Sequence, residues 1–156
     1  MSEPTTVFFS LGANLGDREA MLASAVAGLR QFVDVSAVST NHETEPWGPN
    51  QEQPCFLNAC VAGATALSAE ALLKRTKQLE QEIGRGCTSK WGPHLIDIDL
   101  IFYGDGVVFV EGKRFPPVSL PERAFVLAPL AEIAPELRHP ETGKIISEML
   151  SELVKK

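Results

Sequence analysis

No stretch of this chain approaches the ~18 consecutive apolar residues that a membrane-spanning helix needs. The opening MSEPTTVFFSLG carries no basic segment ahead of a long apolar one. Both absences predict a soluble, cytosolic protein. Positive charge is scarce: 14 Lys and Arg stand against 20 Asp and Glu, a net charge of −6. That balance argues against general attraction to nucleic acid or an anionic membrane, while leaving room for a local basic pocket around a small anion. The three cysteines, at 55, 60 and 87, are odd in number and show no CxxC spacing. They fit free thiols in a reducing compartment better than a disulfide framework. Internal repeats, low-complexity tracts and long linkers are also missing.

What is present is enough for one compact domain spanning 1–156. A chain of 156 residues, 44% hydrophobic and 22% charged, can bury a core without staples. Residues 7–11 form a short apolar run ending at GANLGD. Asp17 then offers an N-cap to a helix whose Leu22, Val26, Leu29 and Phe32 recur at helical spacing. Residues 33–42 have extended character, and 43–54, with three prolines and a glycine, read as a long loop before a strand at 55–63. Ser68 can cap a helix running to about residue 83, and 84–93 is a second loop. A strand then runs to Tyr103, and Gly104-Asp105-Gly106 turns it into a partner strand over 107–115. A short helical segment at 126–133, a loop over 135–143 and an amphipathic helix over 145–154 complete the order. The βαββαβ succession predicts a ferredoxin-like α+β sandwich with an added β-hairpin and a C-terminal helix. Its antiparallel sheet would carry helices on one face and leave the other free for ligands.

The segment WGPHLIDIDLI contradicts an ordinary buried strand, because Asp97 and Asp99 interrupt large aliphatic residues. Side chains alternate along an extended chain, so Ile96, Ile98 and Leu100 share one face and the two aspartates the other. If the aliphatic set packs on the helices, both carboxylates face the open side, their Cα atoms ~7 Å apart. They can converge on a cation. Hard oxygen ligands completed by water and substrate phosphates suit Mg²⁺. A solvated strand face would show the same pattern, so the neighbours decide. In CFLNACVAG, Phe56 and Asn58 point one way while Leu57, Ala59 and Val61 point the other. An amide beside an aromatic ring suits a flat heterocycle, although a loop-bonding role for Asn58 accounts for the residue equally well. Trp47 in TEPWGP, and Arg123 with Phe125 in ERAFVLAPL, add further rings and a cation.

Five segments in this order, SLGANLGD, TEPWGPNQEQPCFLNA, LEQEIGR, WGPHLIDIDLIFYG and ERAFVLAPLAEIAPEL, resemble the 6-hydroxymethyl-7,8-dihydropterin pyrophosphokinases of folate synthesis. The resemblance covers nearly the whole chain. It implies the ferredoxin-like fold and transfer of the β,γ-diphosphate of ATP to the pterin hydroxymethyl oxygen. Asp97 and Asp99 would hold two Mg²⁺ ions bridging the ATP phosphates and the hydroxyl. Phe56 and Phe125 would sandwich the pterin, Asn58 and the backbone near Thr44 would bond its edge, Asp97 would border it, and Trp47 would close one side. Arg85, opening a catalytic loop, would act in catalysis. Lys77, Glu80, Trp91, His94 and Arg123 would line the ATP site. The resemblance implies no partner beyond the two substrates, and a monomer or weak homodimer. GANLGD lacks the Gly-Lys-Ser/Thr continuation of a P-loop and reads as a turn and helix cap. His42 and His139 lack ligand spacing and read as structural or surface residues.

The departures fall on the nucleotide side. After WGP the family has Arg-Thr where this chain has His94-Leu95, replacing a fixed cation by a group that is mostly neutral near pH 7. The family's Pro-His stands here as Pro116-Pro117-Val118, and the loop after Arg85 retains only Lys90 as a cation. Lys113 and Arg114 are the nearest candidates to compensate. These departures keep a second reading open, a non-catalytic pterin-binding relative with an altered nucleotide site. A third, a module holding a structural ion at the DxD, predicts metal binding without either substrate.

Overall fold

Strand β1 (Thr5–Ala13) is the axis of the molecule, pairing antiparallel with β4 (Phe56–Thr65) on one side and β5 (Asp97–Tyr103) on the other. The structure, a computed structural model, describes residues 4–13, 17–44, 56–85 and 96–154. Strand β2 (Asp34–Val38) and the short β3 (His42–Thr44) both pair with β4, giving the order β2-β4-β1-β5 with β3 beside β4. Residues 43 and 44, expected in a long loop, belong to β3, because His42–Thr44 lies opposite Phe56–Asn58 and continues the ladder; the rest of that expected loop lies outside the described residues.

The helices form where the caps predicted. Asp17 accepts the Ala20 N–H at 3.1 Å and starts α1 (Arg18–Leu29). Ser68 Oγ accepts the Ala71 N–H at 3.2 Å ahead of α2 (Ala69–Arg85). Each cap satisfies a donor that the first helical turn leaves orphaned. Phe32, expected on the helix, lies past its end, where Arg75 stacks over its ring at 4.8 Å. Helices α1 and α2 bury Leu22, Ala25, Leu29, Leu72 and Leu79 against Val7, Phe9, Leu11, Leu57, Val61 and Ile98 of the sheet. Each such side chain contributes roughly 1.5–3 kcal/mol when fully removed from water.

The opposite sheet face is not free along its whole length. A 3₁₀ turn (Leu120–Glu122), α3 (Ala124–Ile133) and α4 (Ile146–Val154) cover one end of it. Their Leu120, Val126, Leu127, Leu130, Ile146 and Met149 meet Phe8, Cys60, Ala62, Ile101 and Phe102. This corrects the expectation of one bare face: large apolar residues occupy the covered end, while Ser10, Gly12, Asn58, Asp97, Asp99 and Phe56 border a cleft on the rest. The strand expected over 107–115 is likewise two short strands, β6 (Val108–Val110) and β7 (Lys113–Phe115), which pair with each other and not with β5. Glu111 and Gly112 turn between them with φ of 52° and 78°. Positive φ at both central residues is the hairpin geometry whose twist matches the flanking strands.

His139 is a buried structural histidine, as expected: its Nδ1 accepts the N–H groups of Glu141 and Thr142 at 3.1 and 3.4 Å. Burial, then the nearby Arg114 guanidinium, holds its pKa below the usual value. His42 joins a different tie. Glu132 on α3 accepts the Thr40 N–H and hydroxyl at 2.7 Å each and lies 2.9 Å from His42 Nε2, joining α3 to the chain entering β3. The Thr40 hydroxyl and N–H, then His42, pull the Glu132 carboxyl from an ordinary 4.5 to about 2. A depressed carboxylate stabilises the fold above its unfolded pKa and loses that contribution as pH falls through the folded value. Wild type should therefore exceed Glu132→Gln in stability above about pH 5, with the gap closing toward pH 2. Urea denaturation of both proteins across that range checks this; a constant gap would contradict it. No helix among the described residues is long and apolar enough to cross a membrane.

Candidate active site

Two cross-strand rows make the floor of the site. In one, Asn58, Gly12 and Asp97 lie side by side across β4, β1 and β5; in the next, Cys60, Ser10 and Asp99 do the same. The alternation predicted for Ile96–Leu100 holds, since Ile96, Ile98 and Leu100 pack in the helix-side core. The aspartates border a cleft of about 530 Å³ on the other face. Phe56 and Asn58 border the same cleft, while Leu57, Ala59 and Val61 pack toward the helices. Its far wall comes from Ser119 and Glu122 around the 3₁₀ turn, and from Arg123 and Phe125 where α3 begins.

Gly12 makes the floor low in the middle. A Cβ there would stand 3.1 Å from Asn58 Oδ1 and 4.0 Å from a Phe56 ring carbon. With strands ~4.8 Å apart, the backbones carrying Asn58 and Asp97 stand about two strand spacings apart, and between them Gly12 contributes no side chain. That suits a thin planar ligand edged by an amide on one side and a carboxylate on the other. Gly12→Ala should weaken binding of such a ligand roughly fivefold, about 1 kcal/mol, because Asn58 must give way. Calorimetric titration with a pterin measures it, and unchanged affinity would place the ligand elsewhere.

A second, smaller cleft of about 140 Å³ opens beside the first. Lys74, Lys77 and Glu80 of α2, Asp99 and Leu100 of β5, and Glu111, Lys113 and Phe115 of the hairpin line it. Asp99 borders both clefts. Its carboxyl is open to solvent yet crowded enough that burial raises its pKa above the usual carboxylate value. The Asp97 charge raises it further, and Arg123 and Lys113 pull the other way. Glu80 is half-buried and accepts the Ile98 N–H at 2.8 Å. Burial raises its pKa first, then the charges of Asp97 and Asp99, against the lowering effects of the Ile98 bond and Lys77. Cys60, beneath this face, has its thiol pushed up to about 12 by burial, with Glu132 adding to the rise and the Ser10 hydroxyl opposing it. It is a core thiol, not a nucleophile.

The structure thus brings Phe56, Asn58, Asp97, Asp99, Arg123 and Phe125 to one cleft, and Lys77 and Glu80 to the adjoining one. Arg123, expected with the nucleotide residues, borders the aspartate cleft. Thr44 ends β3 opposite Phe56, and Arg85 ends α2; the side chains of both, and all of Trp47, Trp91 and His94, lie outside the described residues. Of the two cations suggested as compensation, Lys113 lines the second cleft. Arg114 points to the C-terminal segment, where it pairs with Glu141 and donates to the Pro116 carbonyl at 3.2 Å. Sequence reasoning missed Ser10, Gly12, Ser119 and Glu122. Ser10 and Gly12 carried a readable sign, two small residues at strand spacing amid large apolar ones, but only the register shows what they face.

The family model described as 7,8-dihydro-6-hydroxymethylpterin-pyrophosphokinase (HPPK) matches residues 8–135. The 2-amino-4-hydroxy-6-hydroxymethyldihydropteridine pyrophosphokinase of Methylorubrum extorquens is 42% identical over 151 residues, covering 96% of this chain and 94% of that one. The protein of the same name from Aquifex aeolicus is 37% identical over 147 residues, covering 94% and 91%. Among solved structures, wild-type HPPK-DHPS of Plasmodium falciparum superposes with a TM-score of 0.78 at 13% identity over 99% of this chain. The match takes in 46% of that fused chain and bears on the fold alone.

Proposed function

The chain belongs to the 7,8-dihydro-6-hydroxymethylpterin-pyrophosphokinase family, and from that premise we propose how its two clefts divide the reaction of a folate-pathway pyrophosphokinase. The aspartate cleft takes the pterin. Its ring lies over Gly12 between Phe56 and Phe125, with Asn58 at one edge and Asp97 at the other. The lysine-lined cleft takes the triphosphate of ATP, where Lys77 and Lys113 offset its charge. The observation that carries this reading is Asp99, which borders both clefts and so stands where the pterin hydroxyl meets the phosphate chain. The strand order β2-β4-β1-β5 with α1 and α2 on one face supports a ferredoxin-like frame for the site.

In the transfer, the hydroxymethyl oxygen forms a bond to the β-phosphorus and gives up its proton to solvent water. The bridging oxygen between the α- and β-phosphorus leaves on AMP. Little covalent help is required of the protein; alignment and charge compensation dominate. Asp97 and Asp99 are the residues that would hold Mg²⁺. Among the described residues no cluster of three or more His, Cys, Asp or Glu could cage a metal. A pair of carboxylates fits an ion that keeps water and substrate phosphates in most of its shell, and two such ions fit the paired carboxylates with ATP bound. Bound there, the ions supply neutralisation of the transferring phosphates. Arg85, at the end of α2, and Arg123 are the guanidinium groups proposed to meet the phosphates. Trp47 and Trp91 complete the proposed site by family resemblance, with His94 at the position where the family has Arg.

Equilibrium titration tests the division. Pterin should bind without nucleotide, and ATP should bind only with Mg²⁺ present. Pterin binding with no Mg²⁺-dependent ATP binding would favour the non-catalytic alternative.

A further inference from the structure

Glu80 was expected to contact ATP, but its carboxylate is already engaged by the backbone of the metal-binding strand. It accepts the N–H of Ile98, the residue between the two aspartates, at 2.8 Å. Strand β5 ladders with β1 and with no other strand among the described residues, so its outer side is a sheet edge. An edge N–H must find water or another acceptor, and here α2 supplies one from a helix turn fixed in the core by Leu72, Thr76 and Leu79. The attachment lies one residue past Asp97, the first residue of β5. From these observations we infer that Glu80 is a positioning residue: it clamps the edge of β5 through Ile98 and so sets the spacing and pointing of Asp97 and Asp99.

The clamp has an electrostatic cost that the fold accepts. A carboxylate at this position feels the like charges of Asp97 and Asp99, and Lys77, one turn earlier on α2, offsets part of the repulsion. A third acid so close to an acidic pair is unfavourable by itself, and the bond it accepts from the Ile98 N–H offsets part of that cost. The hydrogen bond requires an acceptor oxygen. It does not require a charge, and this distinguishes a clamp from a ligand of metal or phosphate.

The inference rests on the pyrophosphokinase reading, and the test separates the two. Wild type, Glu80→Gln and Glu80→Ala are compared in AMP release at varied Mg²⁺ and ATP, and in amide hydrogen exchange at Ile98. Glutamine keeps an acceptor oxygen and alanine removes it. Glu80→Ala should lower kcat about tenfold, raise half-activating Mg²⁺ several-fold and speed Ile98 exchange at least tenfold, with ATP KM little changed. Glu80→Gln should stay within about threefold of wild type in all of these. Equal loss of kcat in both variants, a change confined to ATP KM, or wild-type exchange at Ile98 in Glu80→Ala would each overturn the inference. Absence of AMP from wild type would instead sink the pyrophosphokinase reading, and the exchange comparison would still decide whether the clamp exists.

Discussion

Asp99→Asn lowers turnover by at least ~100-fold, about 2.7 kcal/mol, and leaves the protein folded. The size follows from where the residue sits. Asp99 is the group bordering both the pterin cleft and the lysine-lined cleft, and its carboxyl is held among Asp97, Arg123 and Lys113. An amide keeps the shape but removes the charge that would bind an ion at the transferring phosphate. The fold tolerates the change because the side chain lies on the cleft floor, whereas the packing of β5 comes from Ile96, Ile98 and Leu100. Folding should even gain slightly, since burial and Asp97 both disfavour the ionised form of Asp99. Asp97→Asn should cost a similar factor, because Asp97 completes the pair beside Gly12. Steady-state rates at saturating Mg²⁺ measure both; wild-type turnover in either variant would return that aspartate to the status of a solvated strand residue.

Asn58→Ala weakens pterin binding by ~1–3 kcal/mol, about 5- to 150-fold, with nucleotide affinity hardly altered. Asn58 is buried on β4 directly across from Gly12, with its Oδ1 close to the lane above that glycine. A polar heterocycle edge desolvated in this lane needs an amide to replace its water, and alanine leaves that edge unpaired. The second cleft lies across the sheet on the β5 side, so its lysines are untouched. Titration with pterin alone, then with ATP and Mg²⁺ alone, separates the two effects. Equal pterin affinities for wild type and variant would remove Asn58 from the site.

Much of this site was legible because strand alternation is local. LIDIDL states its own two faces, and so does FLNAC, so Asp97 and Asp99 and the pair Phe56 and Asn58 were assigned the correct faces without a structure. The caps at Asp17 and Ser68 were legible for the same reason, each being a hydroxyl or carboxylate within one turn of the donor it accepts. What was not legible depended on residues far apart in sequence. That Gly12 lies between Asn58 and Asp97 is a matter of register between three strands. That α3 and α4 cover part of the second face depends on Phe8 and Phe102 meeting Leu127 and Ile146. Residues 107–115 read as one strand because VVFV and Phe115 give both ends β-forming character. The turn signal was the single Gly112, with Glu111 in a positive-φ position more usual for Asn or Asp. Glu80 shows a different limit: its residue type marked it as functional, but only the backbone it touches shows how.

The central claim is that one chain holds a pterin and the phosphates of ATP on either side of Asp99 and moves a diphosphate between them. Incubating the purified protein with ATP, Mg²⁺ and 6-hydroxymethyl-7,8-dihydropterin, and quantifying AMP, ADP and the pterin diphosphate, tests it most directly. AMP and pterin diphosphate should form in equal amounts, with no ADP, and only when all three components are present. No AMP at high enzyme concentration, or ADP as the nucleotide product, would contradict it.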